Sequence, residues 1–380
     1  MNGRNEKKKG RKDGTKKDDH KDDGKDDRKN DSKNKGKNDQ QDGGKKDEPD
    51  DEQEDLDVKR KIGPNNVSRD HHPAFLYTYV CHEDERELCR MELRVLFGVE
   101  PCARFLLTER AIDPSRSPFV KQRLDVLYSA GSLDELAQQA EALELGAATF
   151  KIVYVEAEPA AAYDERRRIE RLLGARIRGR ADMRRPQRLF GVAYAAGRWL
   201  FGECRNSEAV WLRHNAKPQP YSTALSTRVA RAAANIAVPQ PQGAKAIDPC
   251  CGIGTVLIEA LSMGIDMIGR DLNPLAVRGA RVNLRHYGYP DDPDAVAVGD
   301  IRTLQGSYDA AVVDLPYNLC SVLSQEERLD MLRGARRLAR RVLVIATETI
   351  DDDLAQAGFF IIDRCDVKKG RFSRQLMVCI

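Results

Sequence analysis

The sequence has no Cys-x-x-Cys pair, no long apolar run and, over its first sixty residues, almost no aliphatic side chains. Each absence excludes something. The cysteines (81, 89, 102, 204, 250, 251, 320, 365 and 379) are odd in number and scattered. Neither a zinc site nor a disulfide framework is expected, and reduced thiols in a cytoplasmic protein fit best. No apolar stretch approaches the roughly 20 residues of a membrane span. The charged N-terminus lacks the apolar core of a secretion signal. Leu56 and Val58 are the first aliphatics after Met1. Residues 1–62 cannot bury enough apolar surface to offset their ordering entropy, so a disordered tail is expected. That tail has 19 basic and 19 acidic residues over positions 1–60, which argues for a solvating role over a basic nucleic-acid arm.

What remains is long enough for two domains. Residues 73–210 read as α+β. Strands are predicted at 75–80 and 150–155, helices at 83–97, 133–145 and 164–173, and a hairpin at 188–203 around Ala195-Ala196-Gly197. A basic turn follows the third helix. Between 161 and 220 there are 14 basic and 6 acidic residues. Arg176, Arg178, Arg180, Arg184 and Arg185 are the candidates for binding RNA phosphates, because the guanidinium fork matches phosphate oxygens. A solvated helix face is the competing reading, and composition alone does not choose between them.

After Pro218-Gln-Pro220, from 218 to 380, strand and helix patterns alternate. Strands are predicted at 244–248, 266–271, 295–298, 308–314 and 342–347. Helices are predicted at 223–237, 254–263, 274–286, 325–338 and 351–357. This is the pattern of a Rossmann-like, doubly wound parallel sheet. A closing pair at 359–363 and 375–379, around Lys368-Lys-Gly-Arg371, adds an antiparallel C-terminal strand at the edge.

The first turn of that region reads Asp248-Pro-Cys-Cys-Gly-Ile-Gly-Thr255. Gly252 and Gly254 allow close backbone approach to a ligand. Leu257 stands where a dinucleotide fingerprint needs its third glycine, and a phosphate loop would need a lysine. Asp248 would repel a pyrophosphate. It suits the ammonium and sulfonium of S-adenosylmethionine. Asp271, ending the next strand, can accept from ribose hydroxyls. Asp300, ending the third, can accept from an adenine amino group. Each aspartate alone could be a helix cap, but three at successive strand ends exceed what capping needs. Cys250 and Cys251 read as small loop residues rather than nucleophiles.

The fourth strand ends in Asp314-Leu-Pro-Tyr-Asn318. An exocyclic base amine has its lone pair delocalised into the ring. The Asp314 carboxylate and the Leu315 carbonyl can accept its two hydrogens and stabilise the cation as it forms. Pro316 stiffens the turn and Tyr317 offers a face for stacking. A buried base would have to flip out. A bare turn is the alternative, and Asp-x-Pro-Tyr by itself is a weak signal.

These motifs, with Glu259-Ala260, Gly269-Arg-Asp271, Asn283 and Gly299-Asp300, resemble the class I S-adenosylmethionine-dependent methyltransferases of RNA amino groups. The similarity is greatest to the tRNA guanine-10 N2-methyltransferase family. Arg213, Lys217-Pro218, Tyr221-Ser222, Arg228-Val-Ala-Arg-Ala232 and Asn235 resemble the segment leading into that family's catalytic domain. The resemblance covers about 205–380. It implies that Tyr221 and Ser222 line the methionine end. It also implies that Cys250, Thr255, Leu272 and Ile301 belong to the cofactor site, that no metal is needed, and that tRNA or another structured RNA is the partner. Members often carry an N-terminal THUMP module, with which 73–204 is compatible. Leu315 replaces the usual proline and Cys250 the usual aromatic. The expected function is methyl transfer to a base amine in RNA, foremost N2 of a guanine in tRNA. DNA adenine N6 or protein glutamine N5 as acceptor, and a non-catalytic RNA-binding protein, are the alternatives.

Overall fold

The computed structural model describes residues 73–380 apart from 103, 159–160, 222–223, 291, 317–322 and 370–371. The expected tail over 1–62 lies outside the described residues, as do Ser222, Tyr317 and Cys320.

The first sheet is built from 75–206. In chain order its elements are β1 (Phe75–Tyr79), α1 (Arg86–Phe97), β2 (Phe105–Thr108), β3 (Val120–Ala130), α2 (Leu133–Ala140), β4 (Glu144–Tyr154), α3 (Tyr163–Arg176), β5 (Arg178–Ala181), β6 (Arg188–Ala195) and β7 (Arg198–Asn206). The strand order is β2-β1-β3-β7-β6-β4-β5. The expected hairpin is present: β6 pairs antiparallel with β7, and Ala196 and Gly197 take positive φ at its turn.

Three expectations change. The long strand β3 was not anticipated, because Lys121, Arg123 and Asp125 mask its alternation; Arg123 is buried by a 2.6 Å pair to Asp125. Helix α2 stops at Ala140 rather than at 145. The N–H groups of 141–143 turn back to the carbonyls of 138–140, and Leu145 packs into the core from β4. The expected basic turn contains an exposed edge strand, β5, paired in parallel with β4.

The second sheet is built from 245–379, preceded by α4 (Thr227–Ala237). Its elements are β8 (Lys245–Asp248), α5 (Thr255–Ser262), β9 (Asp266–Asp271), α6 (Pro274–His286), β10 (Val296–Val298), β11 (Tyr308–Asp314), α7 (Gln325–Leu338), β12 (Ala339–Ala346), α8 (Asp351–Gln356), β13 (Ile361–Lys369) and β14 (Phe372–Cys379). The order is β10-β9-β8-β11-β12-β14-β13. Strands β8 to β12 are parallel; β14 runs antiparallel to β12, with β13 outside it. Along β11, Ala310 and Val312 enter one core and Ala311 and Val313 the other. Burial on both faces is why this strand reads as a continuous apolar run.

Helix α1 completes one face of this second sheet. Its apolar side (Leu88, Met91, Leu96) shares a core with Val229, Ala233, Cys365 and Leu376. Polar bonds follow the same seam. Glu92, fully buried, accepts from Ser117 Oγ at 2.5 Å and from Asn235 Nδ2 at 2.6 Å. Arg231 donates to the carbonyls of Ser115 and Arg116 and to Glu259 Oε2, all at 2.8 Å. His214 Nδ1 meets the other Glu259 oxygen at 2.6 Å. Among the described residues, no helix is long and apolar enough to cross a membrane.

Candidate active site

Parallel strands end on the same side of a sheet, so their terminal residues converge. Asp248, Asp271 and Asp314 are the last residues of β8, β9 and β11, and Asp300 follows β10. All four line one cavity of about 700 Å³, within the range of small-molecule sites.

The turn after β8 is held by its own carboxylates. Asp248 Oδ1 accepts from the Cys250 N–H at 3.2 Å. Asp271 accepts from Gly252 N–H at 2.8 Å and from Asn273 N–H at 2.9 Å, tying the glycine turn to the end of β9. Gly252 has φ +52°, and a Cβ there would meet nothing within 4 Å, so it faces open space and lines the cavity. Gly254 differs from expectation. It has φ +79° and caps α5, and its missing Cβ lets α6 approach, with Ala280 Cβ 3.3 Å from the Cβ position. It does not line the cavity. Asn283, buried on α6, donates to the carbonyls of Ile253 and Gln219 and so clamps the turn to the segment before α4.

Of the remaining expected cofactor residues, Tyr221, Cys250, Thr255, Leu272 and Ile301 line the cavity. Arg228 points elsewhere, to Glu85 at 3.1 Å. Asp300 is already engaged: Arg302 donates to it from Nε and Nη2 at 2.6–3.0 Å. That pair was not anticipated. Leu225, Ala276 and Gly279 also line the cavity without having been singled out. For Ala276 and Gly279 the sequence signal is the small residues on one face of α6; Leu225, just before α4, carries none.

Burial is the main force on Asp248 and Asp314. It pushes the Asp248 carboxyl well above the usual range; the Cys250 N–H opposes this, and the charges of Asp314 and Asp271 add to it. Burial likewise pushes Asp314 up to about 7, against the cationic Arg374. It raises the Cys250 and Cys251 thiols well above their ordinary value, which removes them as thiolate nucleophiles. Thr255 Oγ1 and Asp314 Oδ1, in residues that line the cavity, are buried without a hydrogen-bond partner among the described residues. A cavity with crowded carboxylates and orphaned acceptors disfavours a pyrophosphate and fits a ligand with cationic groups. S-adenosylmethionine matches that donor set. Among the described residues, no group of His, Cys, Asp or Glu could hold a metal ion.

On the acceptor side, Leu315 donates its N–H to the Ile345 carbonyl at 3.0 Å, pinning the turn to β12. Its side chain is buried in the core with Met331 and Leu332, which is the use this chain makes of leucine where proline is usual. Pro316 is exposed and lines the cavity. The arginine cluster splits. Arg167, Arg168 and Arg176 pair with Glu170, Glu165 and Glu141 at 2.6–2.8 Å. Arg178 and Arg180 on β5, and Arg184 and Arg185 beyond it, are exposed and have no ion-pair partner among the described residues.

Residues 214–343 match a family model described as RMKL-like, methyltransferase domain. The tRNA (guanine(10)-N2)-dimethyltransferase of Methanothermobacter thermautotrophicus is 30% identical over 179 residues, 44% of this chain and 52% of the relative. The enzyme of that name from Pyrococcus abyssi is 28% identical over 173 residues, 43% of this chain and 51% of the relative. A U6 snRNA (guanine-N(2))-methyltransferase of Mus musculus is 31% identical over 123 residues, 29% of this chain and 23% of the relative. The chain spans about half the length of the first two. The match to a methyltransferase domain thus falls on residues 214–343, about a third of the chain.

Proposed function

We propose that the chain transfers a methyl group to an exocyclic amine of a base in RNA, N2 of a guanine in tRNA being the foremost candidate. The observation that carries this is Asp314 Oδ1: a buried carboxylate oxygen without a partner among the described residues, on a residue lining the same cavity as Asp248 and Asp271. An amine N–H satisfies that acceptor, and a cation developing on the amine nitrogen is stabilised by it. When bound, S-adenosylmethionine supplies an electrophilic methyl group. Asp248 and Asp271 would hold its charged and hydroxyl groups, with Tyr221, Thr255, Leu272 and Ile301 closing around it. Ionised Asp314 accepts from the amine, and the exposed Pro316 keeps the turn rigid beside it.

RNA as the acceptor is supported by the names of the three relatives, all of which methylate guanine N2 in an RNA by those names. Four unpaired arginines on and beyond β5 give 73–210 a surface suited to phosphates. Tritium transfer from labelled S-adenosylmethionine into tRNA, duplex DNA and a glutamine peptide tests the reading. The expected result is label in tRNA alone, lowered at least about a hundredfold by Asp314→Ala, the scale of losing one oriented electrostatic contact. Full activity of that variant would remove Asp314 from the chemistry.

A further inference from the structure

One buried cation shares a sheet face with the acceptor carboxylate, two strands away, on a strand that sequence patterns do not connect to it. Asp314 ends β11 and pairs in register with Ile345 of β12, which pairs with Leu376 of β14. Directly paired residues point to the same face of a sheet, and so do residues two apart along a strand. Arg374 is two residues from Leu376, so it lies on the Asp314 face. It sits one step beyond Ala346, toward the edge where the cavity opens, since Ala346 pairs with Gln375. Two strand spacings, roughly 10 Å, separate the two backbones, a gap that an arginine and an aspartate reach across together. The Arg374 side chain is 91% buried, and its guanidinium stacks 4.7 Å over the Phe372 ring, which fixes its direction.

We infer that Arg374 is a positioning residue for the amine-methylating reaction, its charge holding the Asp314 carboxylate in the ionised form that accepts a hydrogen bond. The inference rests on the function proposed above. A protonated Asp314 would present an O–H donor to an amine that needs an acceptor. Burial favours that unproductive form, and the charge of Arg374 opposes it. The other groups around Asp314 do not help. Asp248 at the end of β8 and the Cys250 thiol on the following turn are both raised by burial and both feel Asp314 as a like charge. Asp271 acts on both of those groups and Asp300 on Cys250. Arg374 is thus the cation that acts on Asp314. Burial costs the guanidinium as well, lowering its own pKa while Asp314 raises it, as expected of a coupled pair.

The test is a carboxyl 13C NMR titration of the full chain, with Asp314→Asn assigning the resonance. Arg374→Met is expected to move the Asp314 midpoint upward, and Arg374→Lys to leave it near wild type. Arg374→Gln replaces the methionine variant if that one fails to fold. An unchanged midpoint on loss of the charge overturns the inference. Methyl transfer to tRNA gives the second readout. The acid limb of the rate profile is expected to move to higher pH in Arg374→Met, with about tenfold less rate below it for each unit moved. In an Asp314→Asn background the same substitution should cost nothing further; an equal loss in both backgrounds makes Arg374 merely structural. If the midpoint moves but wild type methylates no nucleic acid, the role of Arg374 stands and the proposed function fails.

Discussion

The cavity disfavours the ionised form of Asp248. Burial and the neighbouring Asp314 and Asp271 all press it to keep its proton. A cationic ligand reverses that preference, because an adjacent positive charge stabilises the carboxylate. The sign follows: binding S-adenosylmethionine releases a proton from Asp248, and affinity rises with pH between the ordinary carboxylate value and the raised one. Calorimetry in buffers of different ionisation enthalpy should show that proton. Asp248→Asn should abolish the release and weaken binding by about tenfold or more, the loss of one charge-assisted contact. Proton release that persists in the variant would assign it to another group.

At the scale of elements, the glycine turn divides two roles that look alike in the motif Gly252-Ile-Gly254. Gly254 serves the packing of α5 on α6, and Gly252 faces the cavity. Gly254→Ala forces a left-handed alanine against Ala280 and should cost about 1–3 kcal/mol of stability. Gly252→Ala is also left-handed, but its Cβ projects into open space. Its stability loss should be smaller and its loss of cofactor affinity larger. Thermal unfolding and calorimetry on both variants separate the two; equal effects on stability and binding would refute the division.

Much of this element-level order was legible beforehand. Helices at 274–286 and 325–338 and strands at 266–271 and 308–314 have the expected bounds. Their signals are local: Asn273 and Ser324 cap the helices, and β11 carries the apolar run from Ala310 to Val313. Strand β3 escaped because charged residues on it find partners only after folding. The early end of α2 escaped because Leu145 enters the same core from the following strand β4, so the apolar pattern runs on past the helix.

For the whole molecule, the seam between α1 and α4 is the unusual investment. Glu92, Asn235, Arg231 and Glu259 are nearly or fully buried and bonded to one another's neighbours across it. Removing one member of a buried ionic network strands the others. Arg231→Met leaves Glu259 with His214 and the Arg116 carbonyl with Asn235, and strips the arginine's bond from the Ser115 carbonyl, so it should cost about 3–5 kcal/mol. Denaturant unfolding checks this, and a loss below about 1 kcal/mol would show that the network is dispensable. Because the same arginine bonds residues from both stretches of chain, the variant should also unfold less cooperatively.

Local pattern was enough for the alternation of strands and helices, for the doubly wound sheet, and for the aspartates at successive strand ends. These depend on residues close together in the chain: a period, a turn, a cap. Tertiary structure alone decided that Gly254 packs while Gly252 faces the cavity, that α1 closes the second sheet, and that Arg374 shares a sheet face with Asp314. Each of those joins residues far apart in sequence or depends on which side of an element meets another. Sequence spacing has no record of such distances until the sheets have paired.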